Sequence, residues 1–281
     1  MHKNRIINKY TISSFLLFFV VSFLSWGIQS EYFINLFTFK PDVHYKTLDD
    51  YFYRILDFDN YIILGFSFLQ ILFPIIVSFS VMNFADECSG LFPYAYPRAK
   101  KYRTFLLSSI FEHAAVSSIV ILLAFILYLL VGYVLVGKFL FAEHARWGSD
   151  LFADVLGAGF YYNHPVIYYV LESGMKYIIF PFIYSLFTMA VAFYTEKKYL
   201  ILSIPTVYYI VLTVIFQCIP AIPEPNYFDF SVFAPTFPIV AQALPKPSTI
   251  LLGVSYIPVI AFVVVTLVRS FKSEGGEKLG V

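Results

Sequence analysis

Ionisable side chains are scarce in this sequence, and two of them sit where charge is costly. Glu112 and His113 lie nine and ten residues beyond Arg103, inside the otherwise charge-free run Thr104–Gly137. By helical rise that is about 13–15 Å into a helix. Ionisable groups at such depth face protein or water and mark substrate paths, proton relays or structural pairs. Glu112 could carry a proton or meet a polar substrate. The structural alternative is that it pairs with a neighbouring helix or stays protonated. Adjacent helical residues diverge by about 100°, so Glu112 and His113 do not share one face.

The second chemistry-bearing stretch is Phe84–Arg103. It begins acidic at a helix end with Asp86 and Glu87, turns at Gly90, runs through an apolar and aromatic middle, and closes on Arg98, Lys100, Lys101 and Arg103. Such a piece can present a short amphipathic helix to a cytoplasmic protein. Its cations also anchor the next helix at lipid headgroups, and on the residues alone both roles stay open. Glu172 and Lys176, spaced i and i+4, are expected to form an ion pair. Gln70 and Gln217 are expected to bridge helices.

Much familiar chemistry is absent. There is no G-x-x-x-x-G-K-[ST], no H-E-x-x-H, no C-x-x-C and no G-x-S-x-G. The five histidines are scattered, and Cys88 and Cys218 give neither a disulfide framework nor a zinc spacing. No metal and no cofactor are expected, and any energy-driven activity must borrow a partner or an ion gradient.

The elements that position these groups follow from composition. The chain is 59% hydrophobic and 13% charged, with a mean hydropathy of +0.75. Soluble domains hold about 45–50% apolar and about 25% charged residues. This excess excludes a soluble enzyme, a disordered regulator and a basic nucleic-acid binder; net charge is only +1. No nucleic-acid partner is expected, and the lipid bilayer is. A bilayer crossing needs about 20 apolar residues. Six runs between charges qualify: Tyr10–Ser30, Asn60–Ala85, Thr104–Gly137, Tyr177–Thr195, Tyr199–Pro223 and Pro247–Val268. They lack strand alternation, so helices are expected. The first run exceeds the usual signal-peptide core and no small-x-small cleavage site follows, so it is read as an uncleaved helix. Residues 2–11 would put Ile6, Ile7 and Tyr10 on one face as a short interface helix, or they simply flank the first span.

Lysine and arginine set the orientation. With the N-terminus inside, twelve fall on inner segments, including Lys9, Arg98, Arg103, Lys197, Lys198 and Arg269. Seven fall on the longer outer ones. Both termini are therefore expected in the cytoplasm. The outer connections 31–59, 138–176 and 224–246 are long enough to carry structure or function. Prolines 220, 223, 225, 235, 238, 245 and 247 interrupt apolar pieces. Proline breaks helices, and backbone that is not helical is tolerated at depth only inside protein or along water. Short half-inserted outer helices are expected there. The 33 Phe and 23 Tyr belong partly to interfacial belts.

With six spans, both ends inside, an acidic exit from the second span, then Gly90, then Pro97-Arg98 and Tyr102 before the third, the chain resembles the permease subunit of type-2 ABC exporters. In that family the inner loop forms a coupling helix that docks on a separate ATPase, and half-inserted helices lie between the last two spans. The resemblance covers the chain by topology and about twenty residues by motif. It departs at Cys88 and Ser89, which replace charged residues, at Leu91 after the glycine, and in the long 138–176 loop. By resemblance, Asp86, Glu87, Gly90, Pro97, Arg98 and Tyr102 form the coupling region.

The expected protein is all-α: a polytopic membrane protein with six transmembrane helices, both termini cytoplasmic, and half-inserted outer helices between spans five and six. Residues 1–281 form a single transmembrane permease domain. The resemblance implies an exporter in a bacterial plasma membrane, moving an apolar or amphipathic cargo outward. ATP would be hydrolysed on a separate cytoplasmic ABC ATPase, so the chain itself is not an enzyme. A second permease copy or a related subunit would complete the path, with Glu112 and His113 as its candidate polar residues. Two other classes remain: a scaffold or sensor that binds a partner through its outer loops, and an ion-coupled carrier that uses Glu112.

Overall fold

A computed structural model describes residues 7–38, 58–90, 102–136, 174–218 and 252–272, with isolated positions between. Every regular element among the described residues is helical. Among the described residues three helices are long and apolar enough to cross a membrane: Lys9–Gln29, Ile71–Gly90 and Arg103–Leu135. Tyr177–Ala192, Lys198–Val211 and Tyr256–Phe271 are shorter apolar helices. The proline-rich segment expected to half-insert, most of the 138–176 connection, Pro97 and Arg98 lie outside the described residues, as do Glu172 and the side chains of Lys176, Gln70 and Gln217.

Helix α1 spans Lys9–Gln29. Asn8 caps it, its side chain accepting from the Tyr10 and Thr11 amides at 2.8 and 3.3 Å. Lys9–Thr11 are thus the first turn of the long helix rather than part of a separate interface helix. At the other end the chain reverses through Glu31, which holds a left-handed φ of 56°. Helix α2 (Tyr32–Thr38) then folds back, with Tyr32 4.6 Å from Trp26 between ring centroids. The Phe33 ring occupies the space a Cβ at position 27 would need, which is why Gly27 serves there.

The second apolar run departs from the expected continuous helix over Asn60–Ala85: it breaks at Ser67–Phe68, and the part that stays long enough to cross, Ile71–Gly90, is interrupted only at Val81. It forms α3 (Phe58–Phe66), α4 (Leu69–Ser80) and α5 (Met82–Gly90). In a regular helix the Phe68 amide would bond to the Leu64 carbonyl. Here Ser25 of α1 inserts between them, donating to Leu64 O at 2.6 Å and accepting from Phe68 N at 3.2 Å. A side chain in the i to i−4 ladder is a recognised cause of a helix break. Pro74, inside α4, further lacks the amide that Gln70 O would accept.

Helix α6 spans Tyr102–Val136. A π-helical turn, Met175–Ile179, leads into α7 (Phe180–Ala192), followed by α8 (Lys198–Cys218) and α9 (Leu252–Lys272). Pro181 has no amide for the Tyr177 carbonyl, and Ser118 of α6 donates to the neighbouring Ile178 carbonyl at 3.0 Å. Contacts between helices give their directions. Tyr61 meets Tyr128 and Phe84 meets His113, so α3–α5 run antiparallel to α6. Phe73 meets Phe180 and Phe84 meets Phe193, so α4–α5 run parallel to α7. Helix α7 lies against α4, α6, α8 and α9.

The interior has two apolar halves. One gathers Phe18, Trp26, Tyr61, Phe66, Phe73, Tyr128, Tyr177 and Phe180. The other gathers Val81, Phe84, Leu106, Ile110, Ala114, Phe187 and Ile201. Between them lies a layer of buried hydroxyls: Ser78 and Ser80 on α4, Ser117 and Ser118 on α6, Ser185 and Thr188 on α7. Ser80 hydrogen-bonds Ser117, and Thr188 Oγ1 lies 2.9 Å from Ser78 Oγ. Lipid offers no hydrophobic drive for helices to associate, so small residues and interhelical hydrogen bonds take on that role.

Candidate functional site

One end of the bundle is polar, and five helices meet there. Lys198 opens α8, Asp86 lies in the last turns of α5, and Tyr10 lies in the first turn of α1. Lys198 Nζ is 2.7 Å from Asp86 Oδ1 and donates to the Tyr10 hydroxyl at 3.1 Å. The Tyr10 hydroxyl in turn reaches Asp86 Oδ2 at 3.5 Å. Lys9 and Lys198 also flank the Tyr10 ring, 5.1 and 5.5 Å from its centroid. The Asp86 carboxylate, with help from the Tyr10 hydroxyl, holds the half-exposed Lys198 ammonium above the usual lysine value.

At the start of α6, Arg103 donates to the Phe271 carbonyl at 3.0 Å and covers the Phe271 ring at 5.7 Å. A guanidinium at the last carbonyls of α9 satisfies an acceptor the helix leaves open. The two roots of the 91–101 stretch are thereby tied to the ends of other helices. Asp86 joins α1 and α8, and Arg103 joins α9.

One turn deeper lies a buried polar group. Asn83 Nδ2 donates to Glu87 Oε1 at 3.0 Å, the i to i+4 spacing of one helix face. His113 Nε2 stands 3.6 Å from the same oxygen. Its Nδ1 lies 2.8 Å from the Ser109 carbonyl, and Phe84 packs edge-on against the ring at 5.6 Å. His113 is only 5% exposed. Glu112 points the other way. It is exposed, accepting from Ser108 Oγ at 2.8 Å. Thr104, Ser108 and Glu112 follow each other at i+4 on this outward face of an otherwise apolar helix.

The structure brings some of the sequence candidates together and separates others. Asp86, Glu87 and Gly90 share α5, and Tyr102 opens α6. Gly90 sits in open space at the helix end, so packing does not demand a glycine there. Glu112 and His113 occupy opposite surroundings. Sequence reasoning missed three members of the cluster: Lys198, read only as a topology anchor, Tyr10, read only as an apolar face, and Asn83. The i to i+4 spacing of Asn83 and Glu87 was the one signal available. No group of three or more His, Cys, Asp and Glu suited to a metal occurs among the described residues.

Together the fold and this end define a protein whose described residues are helical in every regular element, with three candidate membrane-spanning helices among them and a charged cap. Comparison with protein-family models, with curated proteins and with solved structures returns no match.

Proposed function

We propose that the chain crosses the membrane six times and is the permease subunit of an ATP-driven exporter of the type-2 ABC kind. Its 86–103 segment would receive force from a separate cytoplasmic ATPase. One observation carries this reading: both roots of that segment are bonded to the ends of other helices, Asp86 to Lys198 and Tyr10, and Arg103 to the Phe271 carbonyl. A push on residues 91–101 would therefore reach α1, α8 and α9 together. A displacement biased by a bound partner is how a two-state transporter is switched.

Helix α6 runs opposite to both α3–α5 and α7, which supports successive crossings, and the three shorter apolar helices would complete a set of six. The exposed Thr104–Ser108–Glu112 face supports a second copy or a related subunit. A carboxylate facing lipid at a helix centre costs about 2.5–3.5 kcal/mol on insertion scales, which protein or water on that face would avoid. Exposed Lys9, Arg103, Lys197, Lys198 and Arg269 at the polar end support reading it as the cytoplasmic side.

The test is copurification. Tagged protein is extracted from its native membrane and assayed for vanadate-sensitive ATP hydrolysis in the complex. The expected result is a bound ATPase that Arg98→Ala releases while the chain stays folded. A well-folded protein with no associated ATPase sinks the exporter reading.

A further inference from the structure

We infer that Glu87 and His113 hold one proton between them, which makes the junction of α5 and α6 a proton-binding site. The argument starts from the imidazole. Its Nδ1 lies 2.8 Å from the Ser109 carbonyl, and a carbonyl oxygen only accepts. Nδ1 must therefore carry a hydrogen. In a neutral ring the other nitrogen, Nε2, then presents a lone pair.

That lone pair would be poorly placed. Nε2 is buried and has no partner at hydrogen-bonding distance. What it faces is Glu87 Oε1 at 3.6 Å, on a side chain only 12% exposed. An ionised, largely buried carboxylate against the lone pair of a buried ring is repulsive on both sides. Asn83 donates to that same Oε1 but leaves Nε2 unserved. The charged groups acting on the ring are both carboxylates, Glu87 from α5 and Glu112 from its own helix. No cation among the described residues offsets them. The Ser109 carbonyl serves Nδ1, and Phe84 offers the ring only an apolar edge.

One proton resolves the conflict. It arrives from the aqueous phase at the polar end and leaves either an imidazolium beside an ionised Glu87 or a neutral ring that accepts from the Glu87 carboxyl. In both forms Nε2 and Oε1 attract instead of repelling, and closing their 3.6 Å gap by a few tenths of an ångström makes one N–H···O or O–H···N bond that clamps the end of α5 to α6. Displacing α5 breaks the clamp and releases the proton. The inference stands on this geometry and not on the transport reading.

The test uses full-length protein in lipid nanodiscs. His2, His44, His144 and His164 are replaced by glutamine, which leaves His113 as the sole histidine. A parallel sample that also carries Glu112→Gln identifies any carboxylic-acid band that belongs to the other candidate carboxyl group, while the sole-histidine chain keeps Glu112. At about pH 7.5 an ordinary histidine, of pKa about 6.5, is mostly neutral. The expected result is either a 15N spectrum with both His113 nitrogens protonated or an infrared carboxylic-acid band that shifts with 13C-glutamate labelling. Glu87→Gln should abolish both signals and leave a neutral ring with its hydrogen on Nδ1, since an amide can donate to Nε2. Should that variant not fold, the two spectra of the sole-histidine chain with Glu87 intact decide alone. A neutral His113 together with no protonated glutamate band overturns the inference.

Discussion

Tyr61 and Tyr128 bind each other reciprocally. Their rings stack at 4.3 Å with an interplanar angle of 9°. The Tyr61 hydroxyl donates to the Tyr128 carbonyl at 2.9 Å, and the Tyr128 hydroxyl donates to the Tyr61 carbonyl at 2.8 Å. Four residues further along each helix stands a glycine. A Cβ at Gly65 would collide with Tyr128, and one at Gly132 would collide with Tyr61. The same Tyr-x-x-x-Gly pattern on antiparallel helices thus pins α3 to α6 at the end opposite the charged cap.

This geometry predicts a cross-compensation. Gly65→Ala should lower stability by about 1–3 kcal/mol, the usual effect of overpacking. Tyr128→Ala should relieve that penalty because it removes the colliding ring; Tyr61→Ala should not. For Gly132→Ala the roles exchange. Thermal midpoints of the single and double variants in detergent give the coupling directly. Equal compensation by either tyrosine would contradict the reciprocal seat.

Ser25 and Ser22 make a controlled pair. Both are fully buried on α1, but Ser22 bonds only to its own helix, at Phe18 O. Ser25 bridges the α3–α4 break. Ser25→Ala should cost about 1–3 kcal/mol by leaving Phe68 N unsatisfied, since Leu64 O keeps the Ser67 amide, and it should speed hydrogen exchange at the Phe68 amide. Ser22→Ala should cost far less. Indistinguishable stabilities would mean the break needs no bridge.

The Asp86–Lys198 pair should behave as a surface ion pair with a positional role. Lys198→Ala is expected to cost at most about 1 kcal/mol, because both side chains are half exposed. Asp86→Lys alone should destabilise the charged end, and Asp86→Lys with Lys198→Asp should recover most of the loss. The sign with pH follows from the raised Lys198 value. The contribution is full below the unfolded lysine value and is lost as pH rises past it, above about 10.5. Lys198→Gln should lack this alkaline step, which stability measurements across pH would detect.

Glu112 should report on what covers its face. If a second copy does, Glu112→Leu weakens self-association roughly three- to twenty-fold, matching about 0.6–1.7 kcal/mol for an interhelical hydrogen bond in a membrane. Single-molecule counting of copies in dilute lipid would measure it. Tighter association, or none at any dilution in the unaltered chain, would argue against that partner.

Much was readable without coordinates. The lengths between charges and the apolar composition dictate helices that need lipid or each other, because 59% apolar residues exceed what one globule can hide. The divergence of Glu112 from His113 follows from helical periodicity alone. The acidic close of α5 at Gly90 was equally visible. Less visible was the break in the second run, since nothing local at Ser67–Phe68 announces that a serine from another helix enters the ladder. Pro74 was the sole warning, and it lies a turn and a half away.

The sequence by itself determined that this is a helical, membrane-type chain, where its apolar runs lie and where its cations collect. Only the tertiary structure decided which polar side chains meet. Glu87 finds His113, Asp86 finds Lys198, Ser25 finds the gap after Leu64, and Tyr61 finds Tyr128. Periodicity is a local property, fixed by 3.6 residues per turn. Meeting across helices depends on register between segments as far apart as residues 10 and 198, and register is set by how whole faces pack.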